Sequence, residues 1–201
     1  MPDLRIAVVG PESSGKTTLA VALQDHLQQS AVSVALIPEQ GRALAADLPE
    51  GHRWSWREQL TTSLLHQGAQ ARAELLLDQK PAPTALIADG TTGTPLVWHM
   101  CAIRSRPHYD AGPPQITEDL VTAVERAPYD VVFLTSPDLP WVPDGIRDDP
   151  QGRDAAFEIY QTLYPEAVLI AGERRLEQAV AALSSHLPQV LQSPTPRVST
   201  L

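Results

Sequence analysis

Apolar residues recur along the chain in two rhythms that take turns. Short runs rich in Val, Ile, Leu and Ala, at 4–9, 32–38, 85–89, 130–135 and 167–171, carry few polar residues. Such runs predict strands buried on both sides. Between them, helical patterns occupy 16–29, 56–78, 116–127 and 154–164, and a last helix is expected from about 173 to 187. Strands alternating with helices predict an α/β fold, a parallel sheet of about five strands with helices on both faces. Proline-rich pieces punctuate the chain at "KPAPT", "SPDLPWVPDG" and "LPQVLQSPTPRVST". The last predicts a loose tail over 188–201, after a single domain over 1–187. No internal repeat is visible.

The junction between the first strand and the first helix carries the strongest chemical signal. "GPESSGKTT", residues 10–18, meets the pattern G-x-x-x-x-G-K-[ST] at Gly10, Gly15, Lys16 and Thr17. Glycines let the backbone approach an anion closely, and the N–H groups of Glu12, Ser13, Ser14, Gly15 and Thr18 are placed to cradle phosphate at a helix N-terminus. Lys16 would reach the β- and γ-phosphates, and the Thr17 hydroxyl would ligate Mg²⁺. A Ser- and Gly-rich turn that merely caps a helix is the plain alternative. Lys16 is one of only two lysines in the chain, however, and the strand–loop–helix context suits ATP.

Composition narrows what such a loop could serve. A chain of 201 residues with 43% apolar content suits one domain with a proper core. A net charge of −9, with no basic run of five or more, excludes a nucleic-acid partner at this stage. The N-terminus has no leader pattern, and no apolar run is long enough for a bilayer, so a cytoplasmic protein without membrane contact is expected. The lone Cys101 cannot make an internal disulfide, and neither it nor the six histidines show metal-ligand spacing. An N-K-x-D guanine motif and an L-S-G-G-Q stretch are both absent, which leaves a small phosphotransferase rather than a GTPase or a transporter ATPase.

Residues past the strand ends supply the rest of the chemistry. "LIPEQGR" puts Glu39 and Arg42 beyond the second strand, where open α/β sheets bind ligands. A carboxylate there could orient or deprotonate a hydroxyl, and an arginine could hold an anion or a ribose oxygen. "ALIADGTT" ends the third strand on Asp89, suited to Mg²⁺; a helix-capping aspartate is the plainer reading. "WVPDGIRDDPQGRDAAFEIY" offers Arg147 and Arg153 in a Gly- and Pro-broken segment, the expected mobile lid over the transferring phosphoryl group. Each could instead be a solvent arginine paired with Asp148, Asp149 or Asp154.

"GPESSGKTT", "PEQGR", "LIADGTTGT" and "WVPDGIR", in this order, resemble the ribosylnicotinamide kinase domain of the NadR-type regulators of NAD synthesis. The resemblance spans roughly residues 4–175 and implies a P-loop nucleoside-kinase fold. It implies ATP and Mg²⁺ at Lys16, Thr17 and Asp89, a nucleoside beside Glu39 and Arg42, and a lid bearing Arg147 and Arg153. Gln70 and Glu74 resemble the family's Q-x-x-x-[DE] helix, an exposed helix face being their plain reading; Trp141 is a substrate-side candidate from the sequence itself. Where the family often has a second acidic residue, two positions past the strand aspartate, this chain has Thr91. The family's helix-turn-helix and adenylyltransferase domain have no counterpart here, so one activity is expected. One or two of Trp54, Trp56, Trp98 and Trp141 could stack on a nicotinamide ring, although core packing serves tryptophan equally well.

The expected reaction is transfer of the ATP γ-phosphoryl group to the 5′-hydroxyl of nicotinamide riboside, with Lys16, Glu39, Asp89, Arg147 and Arg153 as the catalytic set. Two alternatives stay open: a kinase for another nucleoside or vitamin precursor, and an ATP-binding regulatory module. The helices over 56–78 and 173–187 could make a homo-oligomer interface.

Overall fold

The computed structural model describes residues 1–142 and 152–184. Within these residues five strands form one parallel sheet: β1 (Leu4–Val9), β2 (Ser33–Ile37), β3 (Thr84–Asp89), β4 (Val131–Thr135) and β5 (Val168–Ile170). Their spatial order is β2-β3-β1-β4-β5, so β1 lies at the centre, flanked by β3 and β4. Every pairing is parallel, as chains of buried apolar runs require when each crossover is a helix.

Among the described residues seven helices accompany the sheet: α1 (Lys16–Gln29), α2 (Gln40–Asp47), α3 (Trp56–Leu77), α4 (Gly93–Ser105), α5 (Gln115–Glu125), α6 (Gly152–Leu163) and α7 (Arg175–Leu183). Alternation along β1 divides the core between the two faces of the sheet. Leu4, Ile6 and Val8 pack with Leu19, Leu23 and Leu27 of α1 and with Ala179 and Leu183 of α7. Ala7 and Val9 point the other way, toward Val97 and Cys101 of α4 and Ala156, Ile159 and Tyr160 of α6. Farther along that face, Ala73 and Leu77 of α3 meet Ile37, Leu86 and Ala88. Full burial of each such Leu or Ile contributes about 1.5–3 kcal/mol, so the centre of the sheet is a firm base for whatever follows its strands.

Two helices depart from the sequence expectation. α2 is short and begins on "QG", which reads as loop. α4 begins "GTP" and is buried at Gly93, Thr94, Pro95, Leu96, Val97, His99, Cys101 and Ala102. A helix covered on most sides has no polar face, so its 3.6-residue period does not show. Its Pro95 lies in the first turn, where a missing N–H costs nothing. Arg147, the expected lid arginine, and the expected tail over 188–201 lie outside the described residues.

Candidate functional site

The loop between β1 and α1 wraps around its own interior. Gly10 has φ of 145°, and a Cβ there would sit 2.4 Å from Thr135 Oγ1 and 2.7 Å from the Thr135 carbonyl, so only glycine fits against the end of β4. The Ser14 hydroxyl donates to the Pro11 carbonyl at 2.7 Å and meets Thr135 Oγ1 at 2.6 Å. Lys16 Nζ curls back to the same carbonyl at 2.7 Å. The Ser13 hydroxyl engages Val142, at 2.9 Å to its carbonyl and 3.2 Å from its N–H. Gly15 is left-handed and no side chain caps α1, so the first N–H groups of that helix face the loop interior. Glu12 is buried beside them.

Carboxylates gather next to this loop. Asp89, at the end of β3, is 4% exposed, and its Oδ2 accepts from the Thr17 hydroxyl at 2.6 Å. Its Oδ1 is buried and makes no hydrogen bond among the described residues. Burial raises the Asp89 carboxyl above its ordinary value and the nearby Glu39 adds to this, against the Thr17 hydrogen bond and the Lys16 and Arg42 charges. Glu39 is 7% exposed and accepts from Arg42 Nε at 3.0 Å. Glu39 and Asp89 line one narrow cleft with Gly41, Thr62, His66 and Gly90.

Several expected residues lie elsewhere. Gln70 and Glu74 do share a face of α3, but that face meets Arg5 and Tyr129 instead of the cleft. Arg5 Nε donates to Glu74 Oε1 at 3.1 Å, Gln70 Nε2 donates to the same oxygen at 3.2 Å, and the Tyr129 hydroxyl donates to Gln70 Oε1 at 3.3 Å. Arg153 is 9% exposed at the start of α6, where it donates to the Ser13 carbonyl at 3.3 Å and the Leu139 carbonyl at 3.1 Å. Its guanidinium lies 5.7 Å from the Trp141 ring. It braces the phosphate loop from behind rather than standing on an open flap. None of the four tryptophans lines the carboxylate cleft. Trp56 packs instead on Leu96, Ile116 and Leu120. Thr91, standing where an acid was expected, accepts from the Gly93 N–H at 3.0 Å and meets the Tyr164 hydroxyl at 2.6 Å, starting α4.

Two residues went unnoticed in the sequence. Arg175 is 8% exposed at the head of α7 and donates to the Ser14 carbonyl at 2.5 Å, to the Gly172 carbonyl at 2.9 Å and to Asp138. It anchors the phosphate loop to the far side of the sheet, and its place just past β5 is the one signal that could have marked it. Beside it a cavity of about 270 Å³ is lined by Gly15, Thr18, Leu139, Gly172 and Leu176.

His66 is the other. Its Nε2 lies 3.0 Å from the Tyr129 hydroxyl, which also reaches Gln70 Oε1 at 3.3 Å. At 2% exposure, burial pushes His66 down to about 4 from 6.5. The unfolded chain therefore binds a proton below pH 6.5 that the folded protein refuses until about pH 4. The neutral His66 thus costs stability only as pH falls through that window, about 3 kcal/mol in total. Urea midpoints of the wild type are expected to drop from pH 6.5 to 4 more steeply than those of His66→Gln. Equal slopes would contradict the buried, neutral state.

Among the described residues no helix is long and apolar enough to cross a membrane, and no group of three or more His, Cys, Asp or Glu is placed to hold a metal ion. A family model described as AAA domain matches residues 5–169. No curated protein matches the chain in sequence. Among solved structures, thymidylate kinase from Candida albicans superposes with a TM-score of 0.57 at 14% identity, over 90% of this chain and 89% of that one. NadR protein in complex with NR gives 0.68 at 16% identity, over 98% of this chain and 54% of that one. NadR protein in complex with NAD and AMP-PNP gives 0.65 at 14%, over 98% and 52%. The chain spans about half the length of the NadR structures it matches, and what it shares with all three is the P-loop kinase fold.

Proposed function

The chain belongs to the AAA domain family, and from that premise we propose that it is an ATP-dependent kinase for a small nucleoside, nicotinamide riboside foremost, acting at the 5′-hydroxyl. The observation that carries the reading is the meeting of two buried carboxylates, Glu39 and Asp89, in one cleft beside the lysine of a phosphate loop. Phosphoryl transfer asks mainly for positioning and for charge placed around the moving group, and these residues supply both.

The donor would lie along the loop. Its triphosphate would take the N–H groups at the start of α1, with Lys16 leaving the Pro11 carbonyl for the β- and γ-phosphates, and its base would enter the cavity beside Thr18 and Arg175. Magnesium fits the residues present, because the Thr17 hydroxyl and Asp89 stand in contact and Asp89 Oδ1 is still open. Bound there, the cation would offset charge on the phosphates. The acceptor hydroxyl would enter the cleft between Glu39 and Asp89. Its oxygen bonds to the γ-phosphorus as the bond from that phosphorus to the β-bridging oxygen breaks, the hydroxyl proton passes to Glu39, and ADP departs. Arg42 holds Glu39 in place, while Arg153 and Arg175 keep the loop carbonyls of Ser13 and Ser14 turned away from the donor. Arg147, which lies outside the described residues, is assigned to charge neutralisation from its Gly- and Pro-broken sequence segment and from the resemblance.

Two acids facing the cleft suit the pyridinium cation of nicotinamide riboside. The activity is assigned to one domain over 1–187, with 188–201 as a tail. A second reading, another nucleoside as acceptor, is favoured by one observation: none of the tryptophans lines the cleft to stack on a nicotinamide ring. A panel of nicotinamide riboside, thymidine, deoxyadenosine and thiamine with Mg-ATP separates the two. The highest kcat/KM is expected for nicotinamide riboside, a higher value for another member replaces the substrate, and no turnover with any of them leaves only a nucleotide-binding module.

A further inference from the structure

At the opposite end of α3 from its Tyr129 and Arg5 contacts, the loops before α3 and after α4 line an open cavity of about 460 Å³, within the range of small-molecule sites. Arg53, Arg106 and His108 line it together with the rings of Trp54 and Tyr109. We propose that this cavity is a second ligand site, one that takes a mononucleotide: the two guanidinium groups hold its phosphate and the two rings flank its planar base.

Charge is the first argument. The chain carries a net −9, yet Glu58 in the first turn of α3 and Asp110 in the loop after α4 are already engaged by other groups. Glu58 accepts from the Ser55 N–H and hydroxyl, each at 2.7 Å, and its other oxygen meets His52 Nε2 at 3.0 Å. Asp110 accepts from Arg57 at 2.9 Å and from the Gly112 N–H at 3.1 Å. Arg53 and Arg106 are exposed and form no ion pair among the described residues. Two such guanidinium groups, lining the same cavity from two loops, supply charged donors for phosphate oxygens.

Preorganisation is the second. The Tyr109 hydroxyl meets Nδ1 of the fully buried His99 at 2.9 Å, and His99 Nε2 meets Thr117 at 3.1 Å, so the Tyr109 ring is held by the core. Trp54 directly precedes the capping box that Ser55 and Glu58 form at the start of α3. The Trp56 N–H donates to the Asp110 carbonyl at 2.9 Å, stapling the two loops together. A Tyr109 ring held in this way, on loops tied to each other, loses little freedom when a planar base packs on it.

The cavity is separate from the carboxylate cleft. Trp56 stands ten residues from His66 on one helix, about 15 Å along its axis, and the two sites share no lining residue. Binding there does not depend on the kinase reading, because it is measured without turnover.

The test is calorimetric titration of AMP into the full chain with the non-hydrolysable analogue AMP-PNP already saturating, alongside quenching of Trp54 fluorescence. Binding of AMP with quenching is expected. Arg53→Gln with Arg106→Gln should weaken it at least about 10-fold, since two charge-assisted contacts are lost, while Lys16→Ala binds as the wild type does. Kinase rates without AMP should not change in the double variant, and its circular dichroism reports the fold. Unaltered AMP affinity in the folded double variant, or no quenching of Trp54, overturns the proposal. Inorganic phosphate binding as tightly as AMP removes the base from it, and a single-stranded oligonucleotide binding more tightly replaces the ligand class with nucleic acid.

Discussion

Lys16→Ala is expected to lower kcat for phosphoryl transfer by at least about 10³-fold and to leave the protein folded. Lys16 is 8% exposed in the loop, and its ammonium has the Pro11 carbonyl to hold it when no phosphate is present. Charge that develops between the β- and γ-phosphates meets nothing equivalent once it is gone. The fold does not lean on it in the same way, because the loop is also held by the Ser14 and Thr135 hydroxyls and by Arg175. Steady-state kinetics and a thermal melt on one preparation check both halves. A variant with near-normal kcat would remove Lys16 from the chemistry, and one that fails to fold would make it structural.

Glu39→Gln and Asp89→Asn are expected to fail in different ways. Asp89 is turned toward the Thr17 hydroxyl, the donor side of the cleft, while Glu39 comes from the far lip at the head of α2. Removing the proton acceptor should cost about 10²–10⁴ in kcat with little change in the Mg²⁺ concentration needed for half-maximal rate. Asp89→Asn should raise that concentration together with KM for ATP. The raised carboxyl of the metal-free protein also predicts that Mg²⁺ binding weakens on acidification before an ordinary aspartate would take up its proton. Rate against Mg²⁺ at saturating acceptor separates the two variants, and an exchange of the two patterns would make Asp89 the base.

The frame of the molecule was legible because its signals are local. The apolar runs at 4–9 and 130–135 match β1 and β4 nearly residue for residue, and the glycines of the loop announce a backbone that must pass close to Thr135. Spacing also told correctly that Gln70 and Glu74 share a helix face. It could not tell which way that face turns, since the partners Arg5 and Tyr129 are 65 and 59 residues from Gln70 in the chain. Arg153 shows the same limit: its composition suits a lid, but the packing of α6 brings it onto the back of the phosphate loop. α4 escaped notice because burial removed its polar stripe, and Arg175 because no motif surrounds it. Thr91 stands in the sequence as a missing acid, and in the fold its hydroxyl serves the start of α4 through the Gly93 N–H and the Tyr164 hydroxyl.

The most direct test of the kinase reading follows the label of γ-³²P-ATP in the presence of Mg²⁺ and nicotinamide riboside. Recovery of the label on the 5′-oxygen of the nucleoside, with Lys16→Ala giving none, is the predicted result. Label released only as inorganic phosphate, at a rate the nucleoside does not change, would contradict it.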